Sequence, residues 1–181
     1  KPFTEGAFAL KGPTKMATAV MPYYTISYEQ DTKNGENVGN AYNKYLITDL
    51  LRGKYGYDGV VCTDWGITGD APNVYEFRGK PWGVENLSVA ERHYKIIEAG
   101  WDQFGGNNDM GPVIEAYQMG VEEHGEEYMR KRFETSAVRL LKNIFRTGLF
   151  ENPYLDVAQT EKIVGNSEFM EAGYNAQLKS I

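Results

Sequence analysis

The stretch Tyr57–Asp70, YDGVVCTDWGITGD, decides how the rest of the chain is read. Val60, Val61, Cys62 and Thr63 are strand-forming residues with no charge among them, bounded by Asp58-Gly59 before and Gly66 after. That is the pattern of a short interior strand in a parallel sheet. Alternation along a strand puts Val60, Cys62 and Asp64 on one face and Val61, Thr63 and Trp65 on the other. Asp64 therefore closes a run that should be buried. In an α/β barrel ligands gather at the carboxyl ends of the strands, which makes Asp64 a candidate reactive group.

Upstream of this strand, Met16–Met21 (MATAVM) carries no charge and is ended by Pro22, as expected of another strand. Pro2–Leu10 reads as a helix start with Thr4 as its N-cap. A polar loop from Pro22 to Gly39 is long enough to be functional. Asn40–Lys54 returns to helical spacing through Ala41, Tyr45, Ile47, Leu50 and Leu51. Downstream, Gly66–Asn86 is a loop rich in Gly, Pro and aromatic residues. Ser88 and Glu91, three apart, then form the capping-box signature of a helix that runs to about Glu98 and ends at Gly100.

Trp101–Phe104 reads as a third short strand, and Gly105–Asn108 as a turn. Pro112 suits the first turn of a helix through Val113–Met119. A longer helix spans Glu126–Thr147, an irregular connection crosses Pro153, and a last helix covers Ser167–Ile181. The order strand, helix, strand, helix, strand, helices is that of a parallel α/β sheet with right-handed crossovers. Three strands do not close a barrel, which typically needs ~250 residues. The alternatives are a small open sheet or the last portion of a barrel.

Composition narrows the function classes. The 181 residues are 41% hydrophobic and 13% aromatic, enough for a real core. Nineteen Lys and Arg against 25 Asp and Glu give a net charge of −6. With no basic run, neither nucleic acid nor an anionic membrane surface is indicated as a partner. Cys62 is the only cysteine, so an intrachain disulfide and a cysteine-built zinc site are excluded. No apolar run approaches the ~20 residues of a membrane span. The opening Lys1-Pro2-Phe3 lacks an initiating Met and fits the middle of something longer.

Other polar residues have plainer readings. Asp102 is expected in a structural strand-end role, with a second site carboxylate as the alternative, and Asp70 in turn chemistry. His93 and His124 are expected at the surface. Glu122, Glu123, Glu126 and Glu127 read as a solvated helix start favoured by the dipole, not as a metal site.

Met21-Pro22-Tyr23-Tyr24, NAYNKYLITDLLR from Asn40, YGYDGVVCTDWG, Glu98-Ala99-Gly100-Trp101-Asp102 and RTGLFENPY from Arg146 together resemble glycoside hydrolase family 3, the retaining β-glucosidases and their relatives. The similarity runs in order through nearly the whole chain, and AQLKSI from Ala176 resembles the link into the family's second domain. The resemblance implies that this chain supplies the last three strands, and the surrounding helices, of a (β/α)8 TIM-type barrel that is incomplete within it, with residues 1–150 as the barrel portion and 151–181 as a tail and the start of the linker to a second domain.

The same resemblance implies roles for four residues. Asp64 matches the catalytic nucleophile, with Thr63 where the family usually has serine. Trp65 matches the aromatic beside the glucosyl unit, and Met21 and Tyr24 match residues lining the same pocket. A retaining glycosidase uses one carboxylate to attack the anomeric carbon and a second carboxyl group, about 5 Å away, to protonate the departing oxygen. Asp64 suits the first role, and Tyr24 could donate a hydrogen bond to it. Trp65 and Tyr24 offer flat apolar faces with polar tips, which suits a pyranose.

The Lys-His pair by which the family grips sugar hydroxyls has no match, nor does the acid/base, a glutamate often reached from the second domain. The expectations are therefore a β-linked oligosaccharide or glucoside as substrate, no cofactor and no metal. The rest of the barrel and a second domain are expected to complete the site, and these 181 residues alone to be inactive. Family members are often exported, so a secreted or periplasmic location is expected. Two other classes stand beside this one. A phosphoryl-transfer or metal-dependent hydrolase is disfavoured, because Asp64-Trp65-Gly66 offers no second carboxylate two residues on and no glycine-rich phosphate loop is present. A non-catalytic carbohydrate-binding or interaction domain is the main alternative.

Overall fold

A computed structural model describes residues 16–70 and 79–181. The helix start expected at Pro2–Leu10 lies outside these residues, as does part of the loop Gly66–Asn86. The chain divides into two compact units, Lys1–Asn143 and Ile144–Ile181.

In the first unit, β1 (Ala19–Val20) and β2 (Val60–Val61) pair in parallel, Ala19 opposite Val60 and Val20 opposite Val61. The Val60 and Cys62 N–H groups donate to the Thr18 and Val20 carbonyls, each at 3.0 Å. On the other side of β2 the expected third strand contracts to one parallel bridge between Cys62 and Gln103. There the Thr63 N–H donates to the Gln103 carbonyl and the Asp102 N–H to the Val61 carbonyl, each at 2.9 Å. β2 is thus bonded on both edges, and Val61 and Thr63 are fully buried. All three strands are shorter than their apolar runs suggest. Pro22 lacks an N–H, and Gly59 and Gly66 bracket β2.

The helical run expected over Asn40–Lys54 breaks in two. A tight 3-10 turn, Asn40–Tyr42, precedes a wide helix over Tyr45–Lys54, after which the Tyr55 N–H reaches back five residues to Leu50 at 2.9 Å. Asn43 makes the break. Its backbone is extended, and its side-chain oxygen accepts from the Leu46 N–H at 2.9 Å, offering the chain an alternative to helical bonding. The preceding loop is built around the buried Asp31 carboxylate, which accepts from the Lys33 and Asn34 N–H groups. Burial alone would raise that carboxyl's pKa, but these bonds hold it below its usual value.

α1 (Val89–Ala99) begins with the capping box read from the sequence. Glu91 N–H donates to Ser88 Oγ at 3.2 Å and Ser88 N–H to the Glu91 carboxylate at 2.6 Å. Gly100, with φ of 101°, ends it, a conformation that favours glycine. α2 (Gly111–His124) has Pro112 in its first turn and extends past the expected end at Met119. Glu122 and Glu123 therefore close α2, and only Glu126 and Glu127 open α3 (Glu126–Arg146). Glu123 is also not merely solvated, because it accepts from the Tyr94 hydroxyl at 2.8 Å. In the second unit the expected irregular connection contains α4 (Val157–Ile163), capped by Asp156, before α5 (Ser167–Ser180), capped by Asn166. Among the described residues, no helix is long and apolar enough to cross a membrane.

One buried carboxylate joins the layers of the first unit. Asp102 has no side-chain exposure, and its Oδ2 meets Arg52 at 2.6 Å and the Val61 N–H at 3.0 Å. Its Oδ1 accepts from Ser136 at 2.7 Å and Arg139 at 3.2 Å, with Arg132 at 3.9 Å. This is the structural role expected of Asp102. Replacing it by Asn leaves three guanidinium groups facing a neutral amide. The expected loss is about 3–5 kcal/mol, the usual cost of removing one partner of a buried pair. Urea unfolding of the wild type and Asp102→Asn reads it directly, and coincident curves would show that the arginines are neutralised elsewhere.

Candidate active site

The candidate residues lie where β1 and β2 end. The register that sets Val20 opposite Val61 carries Met21 and Asp64 out over the same carboxyl edge. Asp64 is half buried, and its Oδ1 accepts from the Trp65 N–H at 2.8 Å. The Tyr24 hydroxyl donates to the Trp65 carbonyl at 2.7 Å and lies within hydrogen-bonding reach of the Asp64 carboxylate. Burial, then the Asp64 charge, push the Tyr24 phenol up to about 12, so it stays a protonated donor at neutral pH. The same two causes, in the same order, raise the Cys62 thiol, which lies on the face of β2 that Asp64 continues. Three of the four candidates, Asp64, Trp65 and Tyr24, are thus brought together from two strand ends. Met21 shares their edge and is half exposed.

Trp65 is also half exposed, and the turn after the third strand shapes the space for its ring. A Cβ on Gly105 would come within 2.8 Å of the indole Cε3, and one on Gly106, at φ of 66°, would strike the indole again. Thr63 fixes that turn by accepting from the Gly105 N–H at 2.8 Å. The Thr-Asp-Trp triplet therefore has one residue holding the turn, one half-buried carboxylate and one flat apolar surface.

A cleft of about 540 Å³ opens against Trp65 but is not lined by Asp64, Tyr24 or Met21. Thr68, His93 and Asn107 to Asp109 are among its walls. His93 corrects the expectation of surface placement, because it is only 2% exposed. Its Nδ1 lies 2.7 Å from the Val89 carbonyl, its Nε2 3.1 Å from Asn107 Nδ2, and its ring stacks at 4.5 Å on Phe104. The sequence did hold a signal for this. Ala90, His93, Ile96 and Ile97 share one helical face, and all four are buried. His124, by contrast, is exposed. Asp70 does more than shape a turn, since it pairs at 2.7 Å with the buried Arg92, which also bonds the Thr68, Val84 and Glu85 carbonyls. That guanidinium ties the segment leaving the site to the segment entering α1. Among the described residues, no group of three or more His, Cys, Asp or Glu could hold a metal ion.

No family model matches the chain. Curated proteins do. A periplasmic β-glucosidase/β-xylosidase of Dickeya chrysanthemi is 40% identical over 192 aligned residues, covering 99% of this chain and 28% of that protein. β-Glucosidase C of Emericella nidulans is 40% identical over 166 residues, covering 91% of this chain and 25% of that protein. A solved β-glucosidase from intestinal bacteria, involved in saponin metabolism, superposes with a TM-score of 0.60 at 24% identity, over 87% of this chain and 18% of that one. The fold is thus that of a glycosidase. These β-glucosidase relatives agree with the resemblance of the sequence to glycoside hydrolase family 3. It spans about a quarter of the length of these curated relatives.

Burial lowers the His93 pKa below its ordinary 6.5, against the Val89 bond and the Asp109 charge, which raise it. A folded-state pKa below the unfolded value means that the unfolded chain takes up the proton first. The associated stability is complete above pH 6.5 and is lost as pH falls through the folded pKa. Urea unfolding at a series of pH values should show the wild type losing stability below pH 6.5 more steeply than His93→Phe. Parallel curves would mean that His93 takes its proton equally well in both states.

Proposed function

We propose that this chain carries the nucleophile of a retaining β-glycosidase and forms the last three strands, with their helices, of its (β/α)8 barrel. The observation that supports the reading best is the meeting of Tyr24, Asp64 and Trp65 at one sheet edge, with the Tyr24 hydroxyl between the Asp64 carboxylate and the Trp65 carbonyl. The parallel order β1, β2, Gln103 segment is the order expected of successive barrel strands. The relatives' names point to β-linked glucosides or xylosides as the substrate class, and one relative's periplasmic label favours export.

Asp64 attacks the anomeric carbon from below the sugar ring, forming a carboxylate–glycosyl bond as the bond to the departing oxygen breaks. The departing oxygen takes its proton from a carboxyl group outside this chain, supplied by the second domain. Water then attacks the glycosyl ester and regenerates Asp64. On binding substrate, the Tyr24 hydroxyl turns its single proton from the Trp65 carbonyl to the neighbouring Asp64 carboxylate and orients it toward the sugar, while Trp65 covers an apolar face of the pyranose. Lacking the acid and the rest of the barrel, these 181 residues alone turn over no unactivated glucoside at an enzymic rate. Loss of a proton donor by itself removes ~10²–10⁴ of rate.

Treating the full-length protein with a 2-deoxy-2-fluoro-β-D-glucoside bearing a good leaving group should trap the glycosyl ester on the peptide holding Asp64. Asp64→Asn should lower turnover of an aryl β-glucoside by on the order of 10⁴. Full activity in that variant, or the label on another carboxylate, overturns the assignment. A wild-type protein that binds glucosides without turnover, with affinity kept in Asp64→Asn, is a sugar-binding domain.

A further inference from the structure

The cleft beside Trp65 contains an amide whose orientation is dictated from behind. The Val89 carbonyl can only accept, so the His93 Nδ1 that lies 2.7 Å from it carries the proton. In the neutral ring Nε2 is then an acceptor. The Asn107 atom at 3.1 Å from Nε2 must be its NH₂ group, which also donates to Thr68 Oγ1 at 2.9 Å. Thr68 Oγ1 in turn stands 3.4 Å from the same Nε2, closing a triangle. With its nitrogen committed twice, Asn107 turns its carbonyl oxygen the other way. No hydrogen bond from a described residue to that oxygen is present, and Asn107 is part of the cleft wall that Trp65 shares.

We propose that His93 is a positioning residue that locks Asn107 so that its carbonyl oxygen accepts a hydroxyl of a sugar seated against Trp65. The inference rests on the β-glycosidase reading above. An aromatic face with a fixed acceptor at its edge is what a hydroxyl-bearing ring requires. A free amide could turn either end to the cleft and would discriminate little between donor and acceptor. The lock is sensitive to acid. A proton on Nε2 would set two donors against each other and favour the flipped amide, which turns NH₂ toward the cleft. Burial opposes that protonation and the Asp109 carboxylate assists it. Among the described residues, those touching the ring are Val89 on α1, Thr68 after β2, and Phe104 and Asn107 on the third-strand segment, none of them titratable.

The test is steady-state hydrolysis of a β-linked glucose disaccharide by the full-length protein, wild type, Asn107→Ala and His93→Phe, with thermal midpoints to check folding. One neutral hydrogen bond lost from the bound sugar should raise KM ~10-fold while kcat stays within about threefold. In the wild type KM should also rise as pH falls below 6.5, and that rise should vanish in Asn107→Ala. His93→Phe should show the higher KM at every pH. A KM for Asn107→Ala within twofold of wild type, or an acid rise of KM that persists in it, overturns the proposal. So does a fall in kcat that follows a lowered thermal midpoint, which is what a purely structural residue would give. No hydrolysis of any β-glucoside by the wild type would instead overturn the glycosidase reading on which this one stands.

Discussion

A single carboxylate with no access to solvent sets the geometry on which the site depends. Asp102 draws Arg52 from the wide helix and Arg139 from α3 onto its two oxygens, and also takes the Val61 N–H of β2. Three guanidinium groups would repel one another at this depth without a shared anion, and Asp102 would be costly to bury without them. Two of the arginines also donate to backbone carbonyls, while Arg139 turns to the Asp58 carboxylate. Arg52 bonds Gly100, Tyr57 and Gly59, and Arg132 bonds Ile97 and Trp101. The segments before β2 and after α1 are thereby held at fixed heights. Since β2 has two paired residues, few ladder bonds define its register. The Asp102 cluster supplies what the short ladder lacks.

From that anchor the chain reaches the site in three residues. Val61 is bonded to Asp102, Thr63 holds the Gly105 turn, and Asp64 follows. The third-strand segment is pinned at Asp102 and again at Gly105, and those two pins sit on either side of the bridge from Gln103 to Cys62. The Asp64 carboxylate, the indole beside it and the turn under the indole are therefore parts of one hydrogen-bonded piece. Arg92 does the same for the far side of the cleft, binding carbonyls on both segments that enter it. On the proposed reading, such preorganisation would aim Asp64 at an anomeric carbon in line.

Several buried polar groups inside this unit are bonded to backbone, some within their own segment and some across the chain. Asp31 organises its loop, Arg92 joins two segments, His93 faces the Val89 carbonyl and Tyr42 donates to the Ile67 carbonyl at 2.9 Å. These bonds compensate the desolvation of the groups that make them, and they specify loops that little regular sheet supports.

Much was legible from sequence because it depends on local physics. The capping box at Ser88, the glycine stop at Gly100, the proline opening α2 and the strand character of Val60 and Val61 follow from neighbouring residues alone, as did the family likeness carried by Thr63-Asp64-Trp65. The lengths of β1 and of the third strand were not legible, because a strand extends only as far as its partner offers groups to pair with. The break at Asn43 and the burial of His93 likewise turn on contacts with Asp31, Val89 and Asn107. A histidine on a polar-looking helix is surface or core according to what packs on it. The sequence by itself determined the start and stop of α1, the strand character of β2 and the family likeness. Only the tertiary structure decided which charges are buried together and which way the Asn107 amide faces, because those depend on groups brought together from far apart in the chain.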